Sequence, residues 1–282
     1  MALFAARYAP SAGGSGIPQV IAAQHRRDFG VGGLLSLRTA AIKLATTVAA
    51  LGCGASVGRE GPTVQVSAAI LAGWHRLLRV SIRPSVMIAG GAAGVAAAFN
   101  TPLAGITFAI EELADAYEQR IALLVMTTIV IAGVVSLGLS GDYVYFGEVA
   151  SHMKVGGALI VAPVAGVLGG ISGGLFARAV LALTDLRARW LGGSSRRLAV
   201  WVLACGLVVA VLGVATGLTW GTGYSAARAI IDGSNAPVWF GPAKFVATLA
   251  TAASGIPGGI FAPSLSTGAG IGASLRLIFP GQ

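Results

Sequence analysis

The stretch Gly58-Arg59-Glu60-Gly61-Pro62-Thr63 sets an arginine and a glutamate inside otherwise apolar chain. Leu44 to Gly58 carries no charge over 15 positions, and Gly61 to Trp74 carries none over 14. Neither half reaches the roughly 20 residues of a spanning helix, so the pair reads as a helix interrupted inside a membrane. A carboxylate at such a break is expensive and marks a functional site by default. Pro62 suits the first turn of a helix, where its missing N–H costs nothing, and Gly58 and Gly61 allow close backbone approach. The helix that begins here points unpaired N–H groups and the positive end of its dipole at an anion. Glu60 is itself an anion tethered to that spot, able to occupy the site when charged and to leave it when protonated or displaced. The plainer alternative is a buried glutamate paired with Arg59 for structure alone.

The rest of the composition places this break in a lipid setting. The 282 residues are 55% hydrophobic and only 10% charged, against roughly 25% charged in soluble domains, and the mean hydropathy is +0.82. The chain is read as an integral membrane protein. Its 42 glycines, with runs such as Gly90-Gly91-Ala92-Ala93-Gly94, fit helices packed through small residues. The net charge of +9 comes largely from short polar connections, where basic residues set orientation, so it does not argue for nucleic acid. Two clusters, His75, Arg76, Arg79 and Arg83, then Arg178, Arg187, Arg189, Arg196 and Arg197, are expected on the cytoplasmic side. Cys53 and Cys205 lie in apolar runs and are expected to be small buried hydrophobes, with no disulfide framework and no metal spacing. No cofactor is implied. No cleavable signal peptide is visible, and Met1 to Pro10 reads as the interior of something longer.

In chain order, Ser11 to Pro18 is a glycine-rich turn closed by proline, followed by a short apolar helix start and a polar patch from Gln24 to Asp28. Ser15 there can cap the helix or offer its hydroxyl to an anion. Charge-free windows follow at Pro84 to Ile110, Ile121 to Gly141, Val155 to Ala177, Leu198 to Ala227 and Phe245 to Leu275. All are long enough to span, several with internal breaks, and together they predict an all-α polytopic bundle with broken, re-entrant helices. From Val155 to Leu183 the pattern favours one tilted helix, with Pro163 as a possible interruption.

The opening motif returns. Gly259-Ile260-Phe261-Ala262-Pro263-Ser264 repeats glycine, two larger residues, a small one, proline and a hydroxyl residue, 201 positions after Gly58. Such a pair is expected of a transporter built from two related halves of inverted topology. The first repeat is placed at about 1–140 and the second at about 150–282. On the same offset, Asn100-Thr101-Pro102-Leu103-Ala104-Gly105 and the following Glu111 and Glu112 should recur near position 301, beyond Gln282, so the second repeat reads as incomplete.

Gly14-Ser15-Gly16-Ile17-Pro18, Gly58-Arg59-Glu60-Gly61-Pro62, Ala96 to Gly105, Glu111-Glu112 and Gly259-Ile260-Phe261-Ala262-Pro263 together resemble the CLC family of chloride channels and proton-coupled chloride transporters. The motifs run in family order from about Ser11 to about Gly270. The resemblance implies one CLC-type transmembrane domain over 1–282, truncated at both ends, multi-pass in a bacterial inner (plasma) membrane, and working as a homodimer with one anion path per protomer. It implies chloride held at Ser15, Gly16, Ile17 and Pro18, at Arg59 and Gly61, and at Ile260 and Phe261. Glu60 takes the place of the gating glutamate that blocks the outer path when ionised and carries the proton when neutral. Glu112 takes the place of the internal glutamate of proton transfer, a role that partial burial would serve by raising its pKa. An acid there favours an antiporter over a channel, although Glu111 and Glu112, with Asp115 and Glu118 behind them, also read as the charged end of a helix meeting water. Ser15 favours chloride over nitrate or fluoride. The partners are therefore chloride, protons and the lipid bilayer.

On this resemblance the family's inner-gate tyrosine is expected in a segment later than Gln282, the helices that begin and end the fold are expected outside residues 1–282, and no regulatory cytoplasmic domain is expected within them. Two further readings stand beside the antiporter: a passive chloride channel, and a fragment that does not transport. A third comes from another class. Gly54-Ala55-Ser56-Val57-Gly58 matches a serine-nucleophile pattern, and Gly13-Gly14-Ser15-Gly16 resembles the turn of intramembrane serine proteases. That chemistry needs a histidine at the depth of the serine, and His25, His75 and His152 fall in polar segments.

Overall fold

The computed structural model describes residues 1–25, 31–113, 119–141, 155–234 and 237–279. Asp28, Asp115, Glu118 and His152 lie outside the described residues. The chain is all-α, and no strand is present among the described residues. The helices in chain order are α1 (Ala2–Tyr8), α2 (Ile17–Gln24), α3 (Val31–Leu34), α4 (Leu37–Gly52), α5 (Glu60–Leu77), α6 (Pro84–Phe99) and α7 (Pro102–Phe108). They continue as α8 (Gln119–Ser140), α9 (Val155–Leu191), α10 (Ser195–Thr216), α11 (Tyr224–Ile231), α12 (Phe240–Ser254) and α13 (Phe261–Ser274).

The expected broken helix is present as α4 and α5, separated by a non-helical stretch around Val57 and Gly58. The window from Pro84 is broken too. Asn100 adopts the left-handed conformation (φ +55°) that closes α6, and Pro102 starts α7 at a position where no backbone donor is needed. The Val155 stretch is one continuous helix, longer than expected, with Pro163 inside it. Three described segments, Ala122–Ser140, Val155–Leu191 and Ser195–Thr216, are long and apolar enough to cross a bilayer.

Two compact units divide the chain. The first comprises Met1–Ala50, Gly58–Tyr145 and Ile256–Gly259. Its core gathers Val20, Val64, Ala68, Met87, Ala92, Ala96 and Ile129. Small residues bring its backbones together: a Cβ on Gly90 would stand 2.7 Å from Ala68 Cα, one on Gly94 2.7 Å from Thr63 O, and one on Gly105 2.8 Å from Ala92 O. In lipid, where burying apolar surface between helices gains little, such close contact is what holds α5, α6 and α7 together.

The second unit comprises Leu51–Val57, Phe146–Gly255 and Ile260–Gln282. Its α12 and α13 meet at Gly241 and Gly270, where a Cβ on Gly270 would lie 2.7 Å from Gly241 Cα. Phe176 of α9 meets Phe245 of α12 edge to face, 5.3 Å between ring centres. Trp201 of α10 donates its indole N–H to Ala253 O at 2.9 Å, satisfying a carbonyl of the last turn of α12.

Two sequence expectations are corrected. Cys53 is exposed and Cys205 is half-buried, because Cys53 falls just beyond the end of α4 and Cys205 on a partly covered face of α10. Arg187 does not belong to a free polar connection: its guanidinium lies over Gly255, the left-handed residue that ends α12, where a cation meets the negative end of the helix dipole.

Candidate anion site

Within the first unit, three chain breaks that are far apart in sequence come together. Gly16, at φ +111°, starts α2, and Pro18 follows in the first turn. A Cβ on Gly16 would stand 2.7 Å from Gly61 O, and one on Gly61 would stand 2.5 Å from Ser15 Oγ and 2.8 Å from Ser15 O. Only glycine at both positions permits the Ser15 turn to sit against the start of α5. The third break joins through the backbone, since Gly58 and Gly259 exchange N–H···O bonds of 2.6 and 2.8 Å, and Gly258 N–H donates to Gly14 O at 3.2 Å. Thr47 Oγ1 donates to Pro257 O at 3.5 Å from α4.

The first turn of α5 is Glu60, Gly61, Pro62 and Thr63, capped by Arg59. Thr63 returns both its N–H (3.0 Å) and its hydroxyl (2.7 Å) to Arg59 O. The first turn of an α-helix lies at the positive end of the helix dipole, and Pro62 occupies a position there where no backbone donor is needed. Arg59 is exposed, whereas Glu60 is buried, with 3% of its surface accessible. Ser15 and Ile17 are half-buried and Pro18 is exposed. The N-cap of α2 is Gly16, and no side chain caps it, so the Ser15 hydroxyl does not cap this helix.

In the second unit, α13 begins in the same way. Ile260 occupies the N-cap, Phe261 and Ala262 supply the first N–H groups, and Pro263 follows. Ser264 returns its N–H (3.0 Å) and its hydroxyl (2.7 Å) to Ile260 O, as Thr63 does to Arg59 O. Both charges of the first start are missing from the second, where Ile260 and Phe261 stand in place of Arg59 and Glu60. Ile260 and Phe261 are both exposed, at 36% and 49%.

Glu111 and Glu112 fall in a π-helical turn, Ala109–Leu113, and both are exposed, so the partial burial expected of Glu112 is not met. The wider turn directs successive side chains off the α-helical track, so Leu113 is buried while the two acids before it face outward. Ser56 is buried and shares a 2.9 Å hydrogen bond with Thr248 Oγ1. His25 is exposed and His75 half-buried, their Nδ1 atoms facing Ile21 O and Ser81 O.

Sequence reasoning missed Lys43 and Gln65, both fully buried beneath the Ser15 turn. Gln65 Nε2 donates to Ser11 O at 3.0 Å and to Leu34 O at 2.8 Å. Lys43 Nζ donates to Ala12 O at 3.0 Å and to Gly14 O at 2.8 Å. The available signal was a lone lysine at the head of a charge-free window, where an orienting surface charge is the commoner explanation.

Comparison with solved structures shows the same fold. A CLC-type fluoride/proton antiporter superposes with TM-score 0.81 at 24% identity, over 98% of this chain and 69% of that one. A slow cyanobacterial Cl-/H+ antiporter gives 0.78 at 23%, over 99% and 67%. A eukaryotic CLC transporter gives 0.76 at 24%, over 99% of this chain and half (50%) of that one. A family model described as "Voltage gated chloride channel" matches residues 1–281. With that match over nearly its whole length, this membrane-spanning chain belongs to the voltage-gated chloride channel family, the CLC proteins.

Proposed function

We propose that this protein moves chloride across the membrane in exchange for protons, with Glu60 as the gate. The observation that carries the reading is a buried carboxylate at the first position of α5, beside a serine turn packed directly on Gly61. An ionised Glu60 competes with an incoming anion for the same helix N-terminus, and a protonated one releases it. Ser15, Gly16, Ile17 and Pro18, Arg59 and Gly61, and Ile260 and Phe261 are assigned to chloride by the likeness of their three motifs to those of the family. Anions held by such partial charges bind without being trapped by a full cation, as rapid passage requires. Similarity in fold to a Cl-/H+ antiporter supports the coupled mode. Glu112 is assigned the cytoplasmic end of the proton route, and the working unit is a homodimer in a bacterial inner membrane.

The exposure of Glu112 favours a second reading, a passive chloride channel in which that acid takes no part. Liposomes loaded with chloride, with external pH recorded together with efflux, separate the two. Chloride release accompanied by proton uptake, with the coupling lost in Glu60→Ala, supports the antiporter. Chloride release without proton movement supports the channel, and no flux from folded protein removes both.

A further inference from the structure

Lys43 and Lys244 are the two fully buried lysines among the described residues, and they are 201 positions apart, the offset of the two helix-start motifs. Lys43 lies in the middle of α4 and Lys244 in the middle of α12. Lys244 Nζ donates to Thr219 O at 2.9 Å and Gly221 O at 2.7 Å, as Lys43 Nζ does to Ala12 O and Gly14 O. Each pair of acceptors skips one residue in a glycine-rich turn, and each turn then passes through a positive-φ glycine, Gly16 or Gly223, into a short helix. Corresponding side chains again brace each turn: Gln65 reaches Ser11 O, and Ser266 Oγ donates to Gly223 O at 3.0 Å. Neither lysine has a carboxylate within ion-pair distance among the described residues.

An ammonium buried without a counter-ion is costly, and two carbonyl acceptors offset only part of that cost. What the arrangement provides is orientation. In a trans peptide the C=O and the following N–H point in opposite directions. Drawing Gly14 O onto Lys43 therefore turns Ser15 N–H away from the lysine, while Gly13 N–H closes the preceding turn on Pro10 O at 3.3 Å. We infer that Lys43 is a positioning residue of the anion site: its Nζ, behind the Ser15 turn, holds that turn with the Ser15 N–H directed outward. Lys244 is its counterpart in the second unit, locking the turn that precedes α11.

This inference rests on the proposed anion site, and chloride titration calorimetry on the purified full chain tests both. Wild type is expected to bind chloride; absence of binding removes the site and the inference with it. Lys43→Met is expected to weaken chloride at least about tenfold, and Lys43→Arg, which keeps the charge and several donors, to recover most of that loss. Lys244→Met strips two carbonyls of their donor in the same way and is expected to lower thermal stability about as much, yet leave chloride affinity within about twofold. A purely structural role predicts equal effects of the two Met variants on chloride, and that result overturns the inference. So does wild-type affinity in Lys43→Met. Should that variant fail to fold, Lys43→Gln, which keeps amide donors without charge, is expected to bind at least about fivefold more weakly; unchanged binding there is equally fatal.

Discussion

Gly58 and Gly259, the two residues that open the repeated motif, are hydrogen-bonded to each other in both directions, N–H to O distances being 2.6 and 2.8 Å. A Cβ on Gly259 would lie 3.1 Å from both Gly58 O and Gly61 N, so the contact leaves no room for a side chain. The bridge fixes the backbone one residue before Arg59 and one residue before Ile260. Those two residues are the N-caps of α5 and α13.

If the charge of Glu60 is the gate, as proposed, removing that charge frees the start of α5. Glu60→Gln is therefore expected to release chloride from liposomes faster than wild type, with no accompanying proton movement. Efflux at the wild-type rate, or retained proton movement, would place the gate elsewhere.

Glu112→Gln is expected to retain chloride flux and lose proton coupling if the acid delivers protons. Its exposed position makes this the most discriminating substitution between antiporter and channel. Unchanged coupling in simultaneous chloride and pH recordings would sink the assignment.

Gly16→Ala adds a methyl 2.7 Å from Gly61 O at a residue with φ +111°. Both the left-handed backbone and the clash act against it, and the backbone penalty alone is about 1–2 kcal/mol. The α2 start should lift from α5, weakening chloride binding about tenfold or more. Gly138→Ala in α8, where nothing lies within 4 Å, is the control and should leave chloride binding and thermal stability close to wild type. Thermal unfolding and chloride titration of both variants check this.

Gly94→Ala forces α6 away from Thr63 O, 2.7 Å from the added methyl. Overpacking of this kind costs about 1–3 kcal/mol. A lower melting temperature in detergent is expected, with efflux reduced because Thr63 belongs to the first turn of α5. A melting temperature equal to wild type would show that the two helices separate without loss.

Orientation is checked by cysteine labelling. Ser81 and Ser194 adjoin the two basic clusters, and with both on the cytoplasmic side, Ser81→Cys and Ser194→Cys should resist an impermeant maleimide added to intact cells. Reaction of either from outside reverses the assigned topology.

The sequence by itself determined the class of molecule and the helix starts. Long charge-free windows, a carboxylate in one break and Gly-x-x-small-Pro-hydroxyl at two sites follow from what a bilayer allows a backbone to do, and α5 and α13 begin where those patterns predict. Asn100 and Pro102 likewise marked a helix boundary by local conformational preference alone. Tertiary structure decided what no local pattern carries: which breaks meet, and what holds them. Ser15 rests on Gly61 because two glycines lack side chains, and Gly58 bonds to Gly259 across 201 positions. Lys43 was invisible as an internal charge because its partners are backbone carbonyls, identical in every residue. The exposure of Cys53 and Glu112 also depended on where a helix ended or widened, which is set by packing and not by the apolar run in which each residue stands.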